Sequence, residues 1–108
     1  MSLLLALALA EATAPAAPPP GLQFAFWRMA AFKSRTKSLG CNAGGLDGEL
    51  EAVRKQLAKR YGKEAFAWPK TPPPAGRSEG DCYISLMVYR TNLGDFKRDA
   101  AAALAVAP

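Results

Sequence analysis

The chain has 108 residues, enough for one domain, and half of them are hydrophobic, which is sufficient for a compact core. It carries 14 lysines and arginines against 9 acidic residues and has no histidine, which gives a formal charge of +5. The lack of histidine excludes Ser–His and Cys–His catalysis and histidine-ligated metals, and two cysteines are too few for an all-protein zinc site. We therefore expect a protein with no metal, no cofactor and no enzymatic activity.

Residues 1–10 have the pattern of a secretory signal peptide. Leu3–Ala10 is an apolar run that is too short to span a bilayer as a helix, which takes about 20 residues. The small residues Ala8 and Ala10 predict cleavage after Ala10, and Ala14 is the alternative site. Because no lysine or arginine precedes the run, an Ala/Leu-rich tail on a cytosolic protein stays open as the other interpretation. The predicted location is the periplasm or the cell exterior.

Eight of the nine prolines fall in two clusters, and these clusters divide the chain. Proline fixes an extended backbone and cannot continue a helix, so each cluster predicts a non-helical segment. The first cluster predicts an extended Pro/Ala-rich tail at residues 11–21, and the second predicts a long loop at residues 63–80. Residues 22–107 then form a single helical domain.

Three segments of this domain repeat apolar residues at steps of three and four, the spacing of one helix face. They predict helices at 22–39, 46–61 and 82–105, and hence an all-α fold, a small three-helix bundle. Residues 82–89 also alternate as a strand would, so an α+β fold is the alternative, and Gly94 is a candidate break in the third helix. The apolar seam predicted for the first helix consists of Leu22, Ala25, Met29, Phe32, Thr36 and Leu39.

The two cysteines lie at the ends of different predicted helices. Cys41 follows the first helix and Cys82 opens the third. In an oxidising compartment an even pair of cysteines is normally bonded, so we predict a structural disulfide between them. Closing a loop of this length lowers the entropy of the unfolded chain, which stabilises the folded state by about 4 kcal/mol in the chain-entropy model. A reactive or redox-active pair is the alternative.

Aromatic and basic residues are interleaved in the first predicted helix, and more aromatic residues follow in the proline-rich loop. Either the loop packs over the helix, or these residues form an exposed binding surface. The function predicted is an exported, non-enzymatic binding or accessory module that acts through a protein partner. The alternative is a cationic binder of anionic lipid, envelope polysaccharide or nucleic acid, with nucleic acid the least favoured. The candidate interaction surface consists of Phe24, Phe26, Trp27, Phe66 and Trp68, bordered by Arg28, Lys33, Arg35 and Lys37.

Overall fold

The protein folds as three helices in a computed structural model that describes residues 17–72 and 81–107. The helices are α1 (Pro20–Ser38), α2 (Gly44–Tyr61) and α3 (Cys82–Leu104). The predicted all-α three-helix bundle is therefore confirmed. The predicted signal peptide, most of the tail and the end of the proline-rich loop lie outside the described residues.

The helix ends follow from local backbone chemistry. Pro20 stands in the first turn of α1, where no backbone N–H is needed, so α1 takes up the end of the predicted extended tail. Gly40 and Gly62 adopt φ angles of 74° and 99° just beyond α1 and α2, in the region that favours glycine. At the start of α3, the Asp81 carboxylate accepts a hydrogen bond from the backbone N–H of Tyr83 at 2.8 Å.

The third helix is continuous, so neither alternative for it holds. Residues 82–89 are helical, which excludes the predicted strand there, and α3 passes through Gly94 without a break. A glycine in a helix costs about 1 kcal/mol relative to alanine. The buried side chains of Leu93 and Phe96 lie on either side of Gly94, and their packing overrides that local cost.

Helices α1 and α3 pack against each other in opposite directions. The disulfide between Cys41 and Cys82 joins the end of α1 to the start of α3. Towards the other ends, the rings of Phe26 and Phe96 lie 6.3 Å apart between centroids. Helix α2 packs mainly on α3, where the buried Tyr89 hydroxyl donates a hydrogen bond to Asp47 at 2.8 Å.

The loop after α2 fills the space between α1 and α2, which touch each other little. Phe66 is completely buried, with its ring centroid 5.7 Å from that of Phe26 and 6.0 Å from that of Tyr61. The side-chain amide of Gln23 donates a hydrogen bond to the Ala65 carbonyl at 3.1 Å. The loop therefore packs over the first helix and completes the core.

The buried strip of α1 is wider than the predicted seam, of which Leu22, Met29, Phe32 and Thr36 are buried. Phe26 is completely buried, whereas Ala25, which the seam assigned to the core, is only partly covered. The reason is that α1 is covered on two sides, by α3 and by the loop, so its buried strip is wider than a single helix contact requires. The buried hydrophobic residues shared by the three helices and the loop include Leu22, Phe26, Met29, Phe32, Leu46, Leu50, Leu57, Tyr61, Phe66, Tyr89, Leu93, Phe96 and Ala100.

Candidate interaction groove

The predicted disulfide is present and joins the end of α1 to the start of α3. Cys41 and Cys82 are bonded, with their Cα atoms 5.5 Å apart and 41 positions apart in the sequence. No free thiol remains, because these are the two cysteines of the chain. The reactive-thiol alternative therefore has no candidate in the oxidised protein.

The predicted aromatic surface separates into buried and exposed residues. Phe26 and Phe66 are each 0% exposed, so assigning these two to an interaction surface is wrong. They pack on each other because the loop covers this side of α1. Phe24 and Trp27 remain on the surface, 62% and 47% exposed, and Trp68 is partly buried at its edge.

Trp68 is held by interactions on more than one side, and this is the feature of the site that the sequence did not reveal. Its indole N–H donates a hydrogen bond to Glu51 at 2.9 Å. The Lys33 ammonium lies 4.0 Å from the centroid of the indole ring, and the Arg54 guanidinium carbon lies 5.6 Å from it. The ring also packs on Phe26, with centroids 5.2 Å apart. We call Lys33, Glu51, Arg54 and Trp68 the Trp68 network.

Arg54 and Glu51 tie this network to the loop backbone. Arg54 donates two hydrogen bonds to the Glu51 carboxylate, at 2.9 and 2.5 Å, and a third to the Phe66 carbonyl at 3.3 Å. The hydrogen bonds from Arg54 lower the pKa of Glu51 below its ordinary value, against the opposing effect of burial, and the Trp68 indole adds to the lowering. The same pairing raises the pKa of Arg54. The spacing of Glu51 and Arg54, three residues apart on α2, is a sequence signal for an ion pair. It does not indicate that Trp68, which lies in a distant segment, joins the pair.

A groove opens beside Trp68, between the last turns of α1 and the loop. It measures about 200 Å³, and we call it the basic groove. Two lysines of α1 contribute its charge, and the indole and two prolines of the loop contribute its apolar wall. No carboxylate lies among its described lining residues. The principal lining residues are Lys33, Ser34, Lys37, Trp68, Pro69 and Pro72.

The four predicted basic residues do not share one surface. Lys33 and Lys37 line the basic groove. Arg28 lies on the side of α1 that faces α3, 5.9 Å from the Phe32 ring centroid and in a cleft that also contains Asp95 and Asp99. Arg35 is partly buried on α1. The structure therefore brings together Lys33, Lys37 and Trp68 from the predicted set.

A second group of exposed apolar side chains lies on α3, and the sequence interpretation did not single it out. Tyr83, Ile84 and Met87 project from the helix away from the core. Their positions follow from the helical period once the buried face of α3 is known. Tyr89, in contrast, is completely buried, and burial raises the pKa of its hydroxyl, with Asp47 adding to the effect.

Within residues 17–72 and 81–107, no cluster of histidine, cysteine or acidic side chains is arranged to hold a metal ion. None of the three helices described above is both long enough and apolar enough to cross a membrane. Comparison with protein-family models, with curated proteins and with solved structures found no match.

Proposed function

We propose that this protein is an exported, non-enzymatic binding module that contacts a protein partner through α1 and the adjoining loop. The observation that carries the proposal is the Trp68 network, which holds an aromatic ring and a lysine in fixed positions beside the basic groove. A site whose side chains are already ordered loses less conformational entropy when it binds. Aromatic residues dominate the energetics of many protein interfaces. A second tryptophan, Trp27, is exposed on α1, the helix that carries Lys33.

Export is supported by two independent features of the chain. Leu3–Ala10 has the composition of a signal-peptide core, and the disulfide is of the kind that persists in oxidising compartments. Intact mass and amino-terminal sequencing of protein purified from its own host test this part of the proposal. The expected mature chain begins at Glu11 and has both cysteines oxidised. A chain that retains Met1 and carries two free thiols would contradict export to the periplasm or the exterior.

The alternative is a cationic binder of anionic lipid, envelope polysaccharide or nucleic acid. The cations of the basic groove favour it, since phosphate and sulfate groups would be attracted to Lys33 and Lys37. The distribution of the remaining charge on α1 is less favourable, because Arg28 shares its cleft with Asp95 and Asp99. A polyanion would therefore find no continuous cationic track along both sides of α1.

Site-specific photocrosslinking in the host cell tests the partner proposal. A photoreactive amino acid would replace Trp27 or Ser34 on the proposed surface, and Gln56, an exposed residue on α2, would serve as the matched control. We expect a discrete protein adduct from positions 27 and 34 and none from position 56. Equal adducts from all three positions, or no adduct from the first two, would refute the proposed surface.

A further inference from the structure

The exposed Trp27 and the basic groove lie along one strip of α1. Trp27, Ala30, Ser34 and Lys37 follow each other at steps of three, four and three, so their side chains leave the helix on the same side. At about 1.5 Å of rise per residue, Trp27 and Ser34 are about 10 Å apart along the helix axis. The strip thus presents an aromatic side chain at one end and Lys37 at the other, and Lys33 lines the groove beside the strip.

The positive charge of the groove is not neutralised within the described part of the protein. The salt bridges there join Arg54 to Glu51, Lys97 to Glu49 and Arg98 to Asp95, and none includes Lys33 or Lys37. Glu51, the carboxylate of the Trp68 network, is already bonded to Arg54 and to the indole. Among the described residues, an incoming carboxylate would therefore meet two lysines and no competing acid in the groove.

The walls of the groove indicate what carries that carboxylate. Trp68, Pro69 and Pro72 are apolar and stiff, and they line the groove together with the lysines of α1. A groove of about 200 Å³ can enclose one side chain of a partner but cannot enclose a folded element. A polypeptide in extended conformation advances about 3.3 Å per residue, so about three residues cover the distance from Ser34 to Trp27.

We infer that the basic groove binds an acidic, extended segment of the partner protein. In this complex a carboxylate lies between Lys33 and Lys37, and an apolar side chain about three residues away covers Trp27. The inference rests on the proposed function and specifies the chemistry of the segment that the module recognises. It differs from binding of a polyanion because it requires both the charge and the apolar contact.

Titration of the oxidised, ¹⁵N-labelled protein followed by NMR tests this inference. The probe is a short synthetic peptide of glutamate and serine with one leucine, and its matched control has every glutamate replaced by glutamine. We expect the acidic peptide to shift the amide resonances of residues 27–37 and the indole resonance of Trp68. The glutamine peptide should leave them unchanged, and added salt should weaken the binding of the acidic peptide.

Two charge reversals locate the binding site. Lys37→Glu replaces an attraction in the groove by a repulsion and should lower the affinity for the acidic peptide about tenfold. Lys59→Glu makes the same change on an exposed residue of α2 outside the groove and should alter the affinity less than about twofold. Lys37→Ala, which only removes the charge, should fall between the two variants.

The outcomes separate this inference from the proposed function. Crosslinks from positions 27 and 34 without binding of the acidic peptide would leave the proposed surface standing and overturn the acidic-segment inference. The absence of both would overturn both. Equal losses in Lys37→Glu and Lys59→Glu, or stronger binding of a DNA oligonucleotide or of anionic vesicles than of the peptide, would show recognition of charge alone and would also overturn the inference.

Discussion

Phe24 and Phe26 stand two positions apart on α1, and we expect opposite results when each is replaced by alanine. Phe26 is completely buried, and its ring lies within 5.2 to 6.3 Å of the ring centroids of Trp68, Phe66 and Phe96. Truncating a buried phenylalanine costs about 3–5 kcal/mol through lost transfer free energy and the cavity left behind. Since small domains have a total stability of about 5–15 kcal/mol, Phe26→Ala should remove about a fifth of it or more.

Phe24→Ala is the matched control. Because Phe24 is 62% exposed, its truncation should change the free energy of unfolding by no more than about 0.5 kcal/mol. Phe26→Leu keeps most of the buried volume and should lower the free energy of unfolding by less than about 1.5 kcal/mol. Its stability should therefore lie between those of the two alanine variants.

Urea unfolding of the three variants, followed by far-ultraviolet circular dichroism, measures these differences. Phe26→Ala should also change the fluorescence of Trp68, whose ring packs on Phe26. The large difference between the two alanine variants depends on the loop covering Phe26. If the free energies of unfolding of Phe24→Ala and Phe26→Ala agree to within about 1 kcal/mol, the loop does not cover α1 in this way.

Three other changes have expected outcomes. Replacing both Cys41 and Cys82 by serine should lower the free energy of unfolding by about 4 kcal/mol, as measured by urea denaturation; a loss below about 1 kcal/mol would contradict a structural role. Gly94→Ala should raise the melting temperature, because a Cβ there meets nothing within 4 Å and alanine is the better helix former by about 1 kcal/mol; a lower value would contradict the open site. Arg54 lowers the pKa of Glu51 in the folded protein, so the folded state binds fewer protons than the unfolded chain. The stability that Glu51 contributes should therefore be complete above its ordinary pKa of 4.5 and lost as the pH falls through the lowered value. Glu51→Gln should then be less stable than the wild type at neutral pH, with a difference that shrinks in acid when denaturation is repeated across pH; a constant difference would contradict the ion pair.

The Trp68 network links folding to the proposed binding. The carboxylate and the guanidinium that hold the indole come from α2, whereas the lysine next to the ring comes from α1. The position of the groove wall therefore depends on the packing of both helices against the loop. A change that loosens the loop should weaken binding even where no groove residue is replaced.

Much of the fold could be predicted from the sequence because its determinants are local. Gly62 ends α2 and Asp81 caps α3 through interactions with neighbours in the chain, and the helical period places Tyr89, Leu93 and Phe96 on one face of α3. The partnership of Cys41 and Cys82 followed from their number and from the predicted compartment. The helix ends depend on residues close in sequence, and the disulfide prediction needed only the cysteine count and the apolar run at residues 3–10.

Only the tertiary structure decided which aromatic side chains of α1 are buried. The helical period gives the angle between Phe24, Phe26 and Trp27 around the axis, but it does not state which side the loop will cover. Phe26 became core because Phe66 and Trp68 return to it from about forty residues away, and Trp27 stayed exposed because nothing in the described chain covers it fully. The basic groove arises from the same long-range contact, since its two walls come from segments that no local pattern connects.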